Sequence, residues 1–132
     1  MVACYCPEKL SAKSESAVRR LTEPAISPFV ELEFSSALAI KVRTGELAKS
    51  DGIKIASLFR SHVDEGKFRI IPVESSQFDL AREWISRFDS PLRAMDALHL
   101  AAAFTNSMPI LTADVSQSRI ARSLGIGCRL IN

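Results

Sequence analysis

Long hydrophobic runs, paired cysteines and aromatic residues are all scarce in this chain of 132 residues, and each scarcity removes a class of protein. No stretch approaches the roughly 18 apolar residues of a membrane span, so no spanning helix is expected. The opening MVACYC reaches Pro7 and Glu8 too soon to form the apolar centre of a secretion signal, and the expected location is the cytoplasm. Cysteine occurs three times, an odd number, and Cys4 and Cys6 stand too close in sequence to bridge comfortably. With no second Cys pair and no nearby His, neither a disulfide framework nor a zinc pattern is present, and reduced thiols are expected. Aromatic residues make up 7% without basic interleaving, which argues against a base-stacking RNA surface. A formal charge of +2 does not by itself announce a nucleic-acid binder, although a local basic face matters more than the total. The G-x-S-x-G elbow, the H-E-x-x-H zinc helix and the G-x-x-x-x-G-K-[ST] phosphate loop are all missing.

What remains is the composition of an ordinary globular protein, 47% hydrophobic and 24% charged. The length suits one domain, 1–132, with a real core. Helical and strand patterns alternate. A polar helix is expected from Ser14 to Leu21 with Ser14 as N-cap, then a short strand over residues 25 to 29. A broad apolar face from about Val30 to Arg43 reads as a helix that Thr44-Gly45 ends. Ser50 or Asp51 is expected to cap the next helix, which Gly66 closes. Phe68 to Val73 reads as a strand, and Ser75-Ser76 lead into a helix carrying Phe78, Leu80, Ala81, Trp84 and Ile85. A helix after Pro91, a strand PILT, a helix Val115 to Leu124 and a strand CRLI complete the pattern. Strands separated by helices predict an α/β layer fold with a parallel sheet, and in such sheets the site lies beyond the strands' carboxyl ends.

Four acids stand near such ends or the helix starts that follow them. LRAMDALHLAAAF, Leu92 to Phe104, carries Asp96 and His99 on an otherwise apolar helix, and ILTAD, Ile110 to Asp114, ends an apolar run on a carboxylate. Asp114 also has the makings of a helix N-cap, and Asp96 those of a first-turn acid favoured by the helix dipole. His99 lies one turn beyond Asp96 on roughly the same face, where a hydrogen-bonded core histidine is the commoner outcome. Arg93 offers a guanidinium for phosphate or for a carboxylate. Glu31 and Glu33 sit about 200° apart on their helix, so one at most shares a face with a pocket. Two carboxylates about 4 Å apart repel by roughly 4 kcal/mol at an effective dielectric of about 20, so converging acids call for a cation or a shared proton.

Taken together, EFSSAL (Glu33 to Leu38), LRAMDALHLA (Leu92 to Ala101) and ILTAD resemble the PIN-domain nucleases, and among them the VapC-type toxins of toxin–antitoxin pairs. The resemblance covers most of the chain. It implies a PIN-like fold, a parallel β-sheet with α-helices on both faces, and a pocket of acids holding Mg²⁺ or Mn²⁺ that cleaves RNA. It assigns metal-ligating and catalytic roles to Glu33, Asp96 and Asp114, and a supporting role to Thr112. Glu31 is set aside, because only Glu33 stands three residues before Ser36-Ala37. His99 and Arg93 remain supporting candidates from the residues themselves. A VapB-like antitoxin and a homodimer are the implied partners. Family members usually open with a strand ending in an acid, placed before the segment that VACYCPE matches, so that strand and acid are expected to be missing here.

Three functions are open. The first is a metal-dependent RNA endonuclease toxin silenced by its antitoxin. The second is a PIN-like module, short of its first acid, that binds a partner without cleavage. A phosphatase or DNA nuclease using the same acids is a third.

Overall fold

Proline and glycine set many of the element boundaries, and the strands between them are very short. The computed structural model describes Met1, Tyr5, Cys6 and residues 11–132. Among these, six helices and four strands follow in order. They are α1 (Ser11–Arg19), β1 (Ala25–Ile26), α2 (Pro28–Arg43), α3 (Lys49–Asp64), β2 (Arg69–Ile70), α4 (Ser75–Ile85), α5 (Ala94–Thr105), β3 (Ile110–Thr112), α6 (Val115–Ser123) and β4 (Cys128–Leu130).

The α/β class with parallel strands is observed as the sequence predicts. β1 pairs in parallel with β2, Ala25 opposite Arg69 and Ile26 opposite Ile70. β3 pairs in parallel with β4, Ile110 opposite Cys128 and Thr112 opposite Leu130. Parallel neighbours need a crossover; α2 and α3 supply the first and α6 the second. The described strands form two sheets of two strands each.

The strands are shorter than the apolar runs suggest. Pro28 has the fixed φ that favours a first helical position, so α2 starts there and cuts the expected strand over 25 to 29 to two residues. Within Phe68 to Val73 only Arg69 and Ile70 pair, because β1 offers no longer partner and Pro72 has no N–H to donate.

Two expected caps are corrected. Ser14 lies buried inside α1, which opens at Ser11, whose Oγ donates to the Cys6 carbonyl at 2.7 Å. Ser50 and Asp51 lie inside the first turn of α3. Both Asp51 and Gly52 donate their N–H to the Ala48 carbonyl (3.1 and 2.9 Å), so the turn closes from Ala48. Gly45 adopts the left-handed conformation expected after α2, with φ of 80°.

The chain divides into two compact units, Met1–Ile71 and Pro72–Asn132. In the first, Cys6, Ile26, Phe34, Leu38, Phe59 and Phe68 form the core. The Phe34 and Phe59 rings lie 4.2 Å apart between centroids, and Tyr5 meets both edge-on at 5.4 Å. Such aromatic pairs stabilise beyond their buried area by about 0.5–1.5 kcal/mol each. The Tyr5 hydroxyl lies 2.7 Å from His62 Nδ1, which ties the ring cluster to α3. In the second unit α4 packs on α5. Trp84 meets Phe104 edge-on at 5.7 Å, and Gln77 Nε2 donates to Thr105 Oγ1 at 3.0 Å. Ala97, Leu100, Ala101 and Ala121 have no exposed surface.

Cys6 and Cys128 form no disulfide among the described residues. The expectations for Cys4 and for most of VACYCPE fall outside the described residues. Among the described residues no helix is long and apolar enough to cross a membrane.

Candidate functional site

The second unit brings Asp96 and Asp114 into one hydrogen-bonded network. Ala94–Thr105 is built of alanine and leucine, the best helix formers, and its buried face carries Ala97, Leu98, Leu100, Ala101 and Ala102. That face fixes the helix and leaves Asp96 half-buried in the first turn, where the helix dipole favours a carboxylate. Arg93 is the N-cap residue of α5 and is exposed; its carbonyl accepts the Ala97 N–H at 2.9 Å. His99 is half-buried, one turn beyond Asp96.

Asp114 arrives from a different element. β3 ends on Thr112, which is buried, and two residues later the chain turns into α6. The Asp114 backbone N–H donates to Thr112 Oγ1 at 3.0 Å, which fixes the turn. Asp114 is the N-cap of α6, in extended conformation, and its Oδ1 accepts the Gln117 N–H at 3.0 Å. The Gln117 side chain then reaches across to α5, where its Nε2 donates to Asp96 Oδ1 at 3.0 Å. Thr112, Asp114, Gln117 and Asp96 thus form a continuous chain beyond the carboxyl end of β3, the side of a parallel sheet where sites occur.

Asp114 is exposed and forms no ion pair among the described residues, so its second oxygen is available to solvent or to a ligand. The donors here are carboxylate and hydroxyl oxygens. Such a hard set suits Mg²⁺, Mn²⁺ or Ca²⁺ and is poorly matched to thiophilic metals. No group of three or more His, Cys, Asp or Glu among the described residues is arranged to hold a metal ion. An ion placed at Asp96 and Asp114 would therefore fill its shell with water, a habit of Mg²⁺, which is held through one or two carboxylates.

Glu33 is half-buried on α2 in the first unit. Glu31, on another face of α2, is 3.4 Å from Arg60 Nη1 through its Oε2.

Gln117 is absent from the sequence-based candidates. A signal for it existed. Asp114-Val115-Ser116-Gln117 has the spacing of a capping box, in which the third residue of the helix is Glu or Gln. In a capping box that side chain reaches back to the N-cap backbone; here it is hydrogen-bonded to Asp96.

Compared with known protein families, the chain matches the family model of the PIN domain over residues 1–123. No curated protein matches it.

Proposed function

Since the chain belongs to the PIN-domain family, whose members are typically metal-dependent nucleases, we propose that it is an endoribonuclease toxin that hydrolyses RNA phosphodiester bonds. The observation that carries this reading is the Asp96–Gln117–Asp114 network, which gathers two acids from separate elements.

Asp96 and Asp114 are the residues that would hold Mg²⁺ or Mn²⁺, by the fit of their oxygen donors. When bound, the ion supplies charge stabilisation at the scissile phosphate and a more acidic water. The protein's own part is positional. Thr112 fixes the backbone of Asp114, and the apolar face of α5 fixes Asp96. Arg93, exposed three residues before Asp96, offers its guanidinium to a substrate phosphate oxygen. His99 is a hydrogen-bonding group one turn from Asp96. Glu33 is proposed as a further essential acid on its sequence motif alone. The family is often paired with antitoxins, and a cognate VapB-like antitoxin with a homodimeric toxin completes the proposal.

The test is cleavage of RNA, single-stranded DNA and a simple phosphate ester by the full chain, with and without Mg²⁺ or Mn²⁺. RNA alone is expected to be cut, and only with metal. Asp96→Asn keeps an oxygen for Gln117 and so is expected to fold, yet to lose cleavage at least a hundredfold; a fully active variant refutes the assignment. Glu33→Gln is measured in parallel.

One observation favours a second reading, a module that binds its partner without chemistry: no cluster of three metal donors is formed among the described residues. Antitoxin binding without cleavage at any Mg²⁺ or Mn²⁺ concentration would select it.

A further inference from the structure

One residue touches both candidate acids of the second unit, Asp96 and Asp114. Gln117 is half-buried in the first turn of α6. Its backbone N–H donates to Asp114 Oδ1 at 3.0 Å, and its side-chain Nε2 donates to Asp96 Oδ1 at 3.0 Å. These two bonds have different chemical requirements. The first uses a main-chain group and survives almost any substitution at this position. The second needs a side-chain donor with the reach of glutamine. The Asp114 N–H, which a capping box would offer to the Gln117 side chain, is already donated to Thr112 Oγ1 at 3.0 Å, so the cap gives no reason for the second bond.

We infer that Gln117 is a positioning residue that sets Asp96 against Asp114 for a shared divalent cation. This rests on the two-acid reading proposed above. By engaging one oxygen of each carboxylate, Gln117 limits their rotation. The inference concerns orientation, and neutrality is part of it. A lysine here would give Asp96 a permanent countercharge that competes with the cation. A glutamate would place a like charge beside it and favour protonation. A neutral amide donor orients the carboxylate without itself adding charge beside it. Groups that orient metal ligands in this way typically change metal affinity by about 10- to 100-fold when removed.

The experiment is Mn²⁺ titration of the metal-free full chain without nucleic acid, read by calorimetry and by the electron paramagnetic resonance of free Mn²⁺. Apo thermal melting is measured on the same samples. Gln117→Met matches the side chain's length and lacks the donor. It is expected to weaken Mn²⁺ binding by about 10- to 100-fold while the apo melting temperature stays near that of the parent. Gln117→Asn keeps the amide but is one methylene too short to reach Asp96, and the same loss is expected. It decides the matter if the methionine variant fails to fold.

A role confined to tying α6 to α5 predicts the opposite split, with melting lowered and the affinity of the folded protein unchanged. Parent-like Mn²⁺ affinity in either folded variant, with the parent binding Mn²⁺, overturns the assignment of Gln117 alone. A parent chain that binds no Mn²⁺ overturns the two-acid reading and the assignment with it.

Discussion

Asp114 combines an observed cap with a proposed metal role, and substitution can separate the two. Its Oδ1 caps α6 by accepting the Gln117 N–H at 3.0 Å, and its charge serves the proposed metal. Asp114→Ala removes both. Loss of an N-cap acceptor costs about 1 kcal/mol, within a range of roughly 0.5–2. The side chain is exposed, so solvent and salt screen the dipole contribution and the lower half of that range is expected. For a chain of this size that loss lowers the melting temperature by about 2–4 °C. Asp114→Asn keeps a capping oxygen, and Asn caps as well as Asp, so its melting temperature is expected within about 1 °C of the parent. Both variants lose the charge, and both are expected to lose RNA cleavage at least a hundredfold. A metal provides a third readout. Mn²⁺ at about a hundred times its Kd stabilises the parent by about 2.7 kcal/mol, and the asparagine variant is expected to lose most of that gain. The assay is thermal melting with and without Mn²⁺, beside RNA cleavage. An asparagine variant with parent cleavage and parent Mn²⁺ stabilisation refutes the metal role; an alanine variant that melts with the parent refutes the cap.

Three further outcomes follow from local geometry. Gly52 lies inside α3, where replacing Gly by Ala ordinarily stabilises by about 1 kcal/mol. A Cβ at Gly52 would meet Val42 Cγ2 at 2.9 Å, and valine is stiff, so Gly52→Ala is expected to destabilise by about 1–2 kcal/mol in urea unfolding, with Val42→Ala restoring part; a more stable single variant contradicts this. Ser27 is the N-cap residue of α2, yet its side chain makes no capping bond and its Oγ is buried without a partner among the described residues. Ser27→Ala is therefore expected to be neutral or to stabilise by up to about 1 kcal/mol, where a working cap would lose that much. Hydrogen bonding from Lys41, at 3.1 Å, and then from Thr44 holds the Glu46 carboxyl below its ordinary value. The stabilisation linked to Glu46 is thus present above the ordinary carboxylate range and lost as pH falls through the lowered value. Lys41→Met is expected to move Glu46 upward in an NMR titration, and an unmoved midpoint would be the contrary result.

Much of this fold was legible because its signals are local. The Ala/Leu pattern of α5, the turn glycine at Gly45 and the cap at Asp114 each depend on a few neighbouring residues. Strand length was not legible in the same way. An apolar run reports burial, and pairing requires a partner of equal length. Phe68 and Ile71 are buried as such a run implies, whereas Ile70 is 40% exposed and β1 stops before Pro28. The caps at Ser14 and Ser50 failed for a related reason. Capping preference names residues able to end a helix, but the turn closes where a carbonyl is placed to accept, here that of Ala48 for α3.

The site shows where local signals stop. Read singly, Asp114 is a helix cap and Asp96 a first-turn acid, and either description suffices for its element. Their connection runs through a side chain 21 residues from Asp96 in sequence. No periodicity or propensity encodes a bond between Gln117 and Asp96, because it depends on where the fold sets the first turns of α5 and α6. The capping-box spacing marks Gln117 as a residue whose side chain has work at the start of α6, but it points that side chain back to the Asp114 backbone. Thr112 Oγ1 already accepts the Asp114 N–H, which frees the amide for the second acid. A residue free of the duty its position predicts, and hydrogen-bonded to a half-buried carboxylate, is the strongest local argument that the two acids act together.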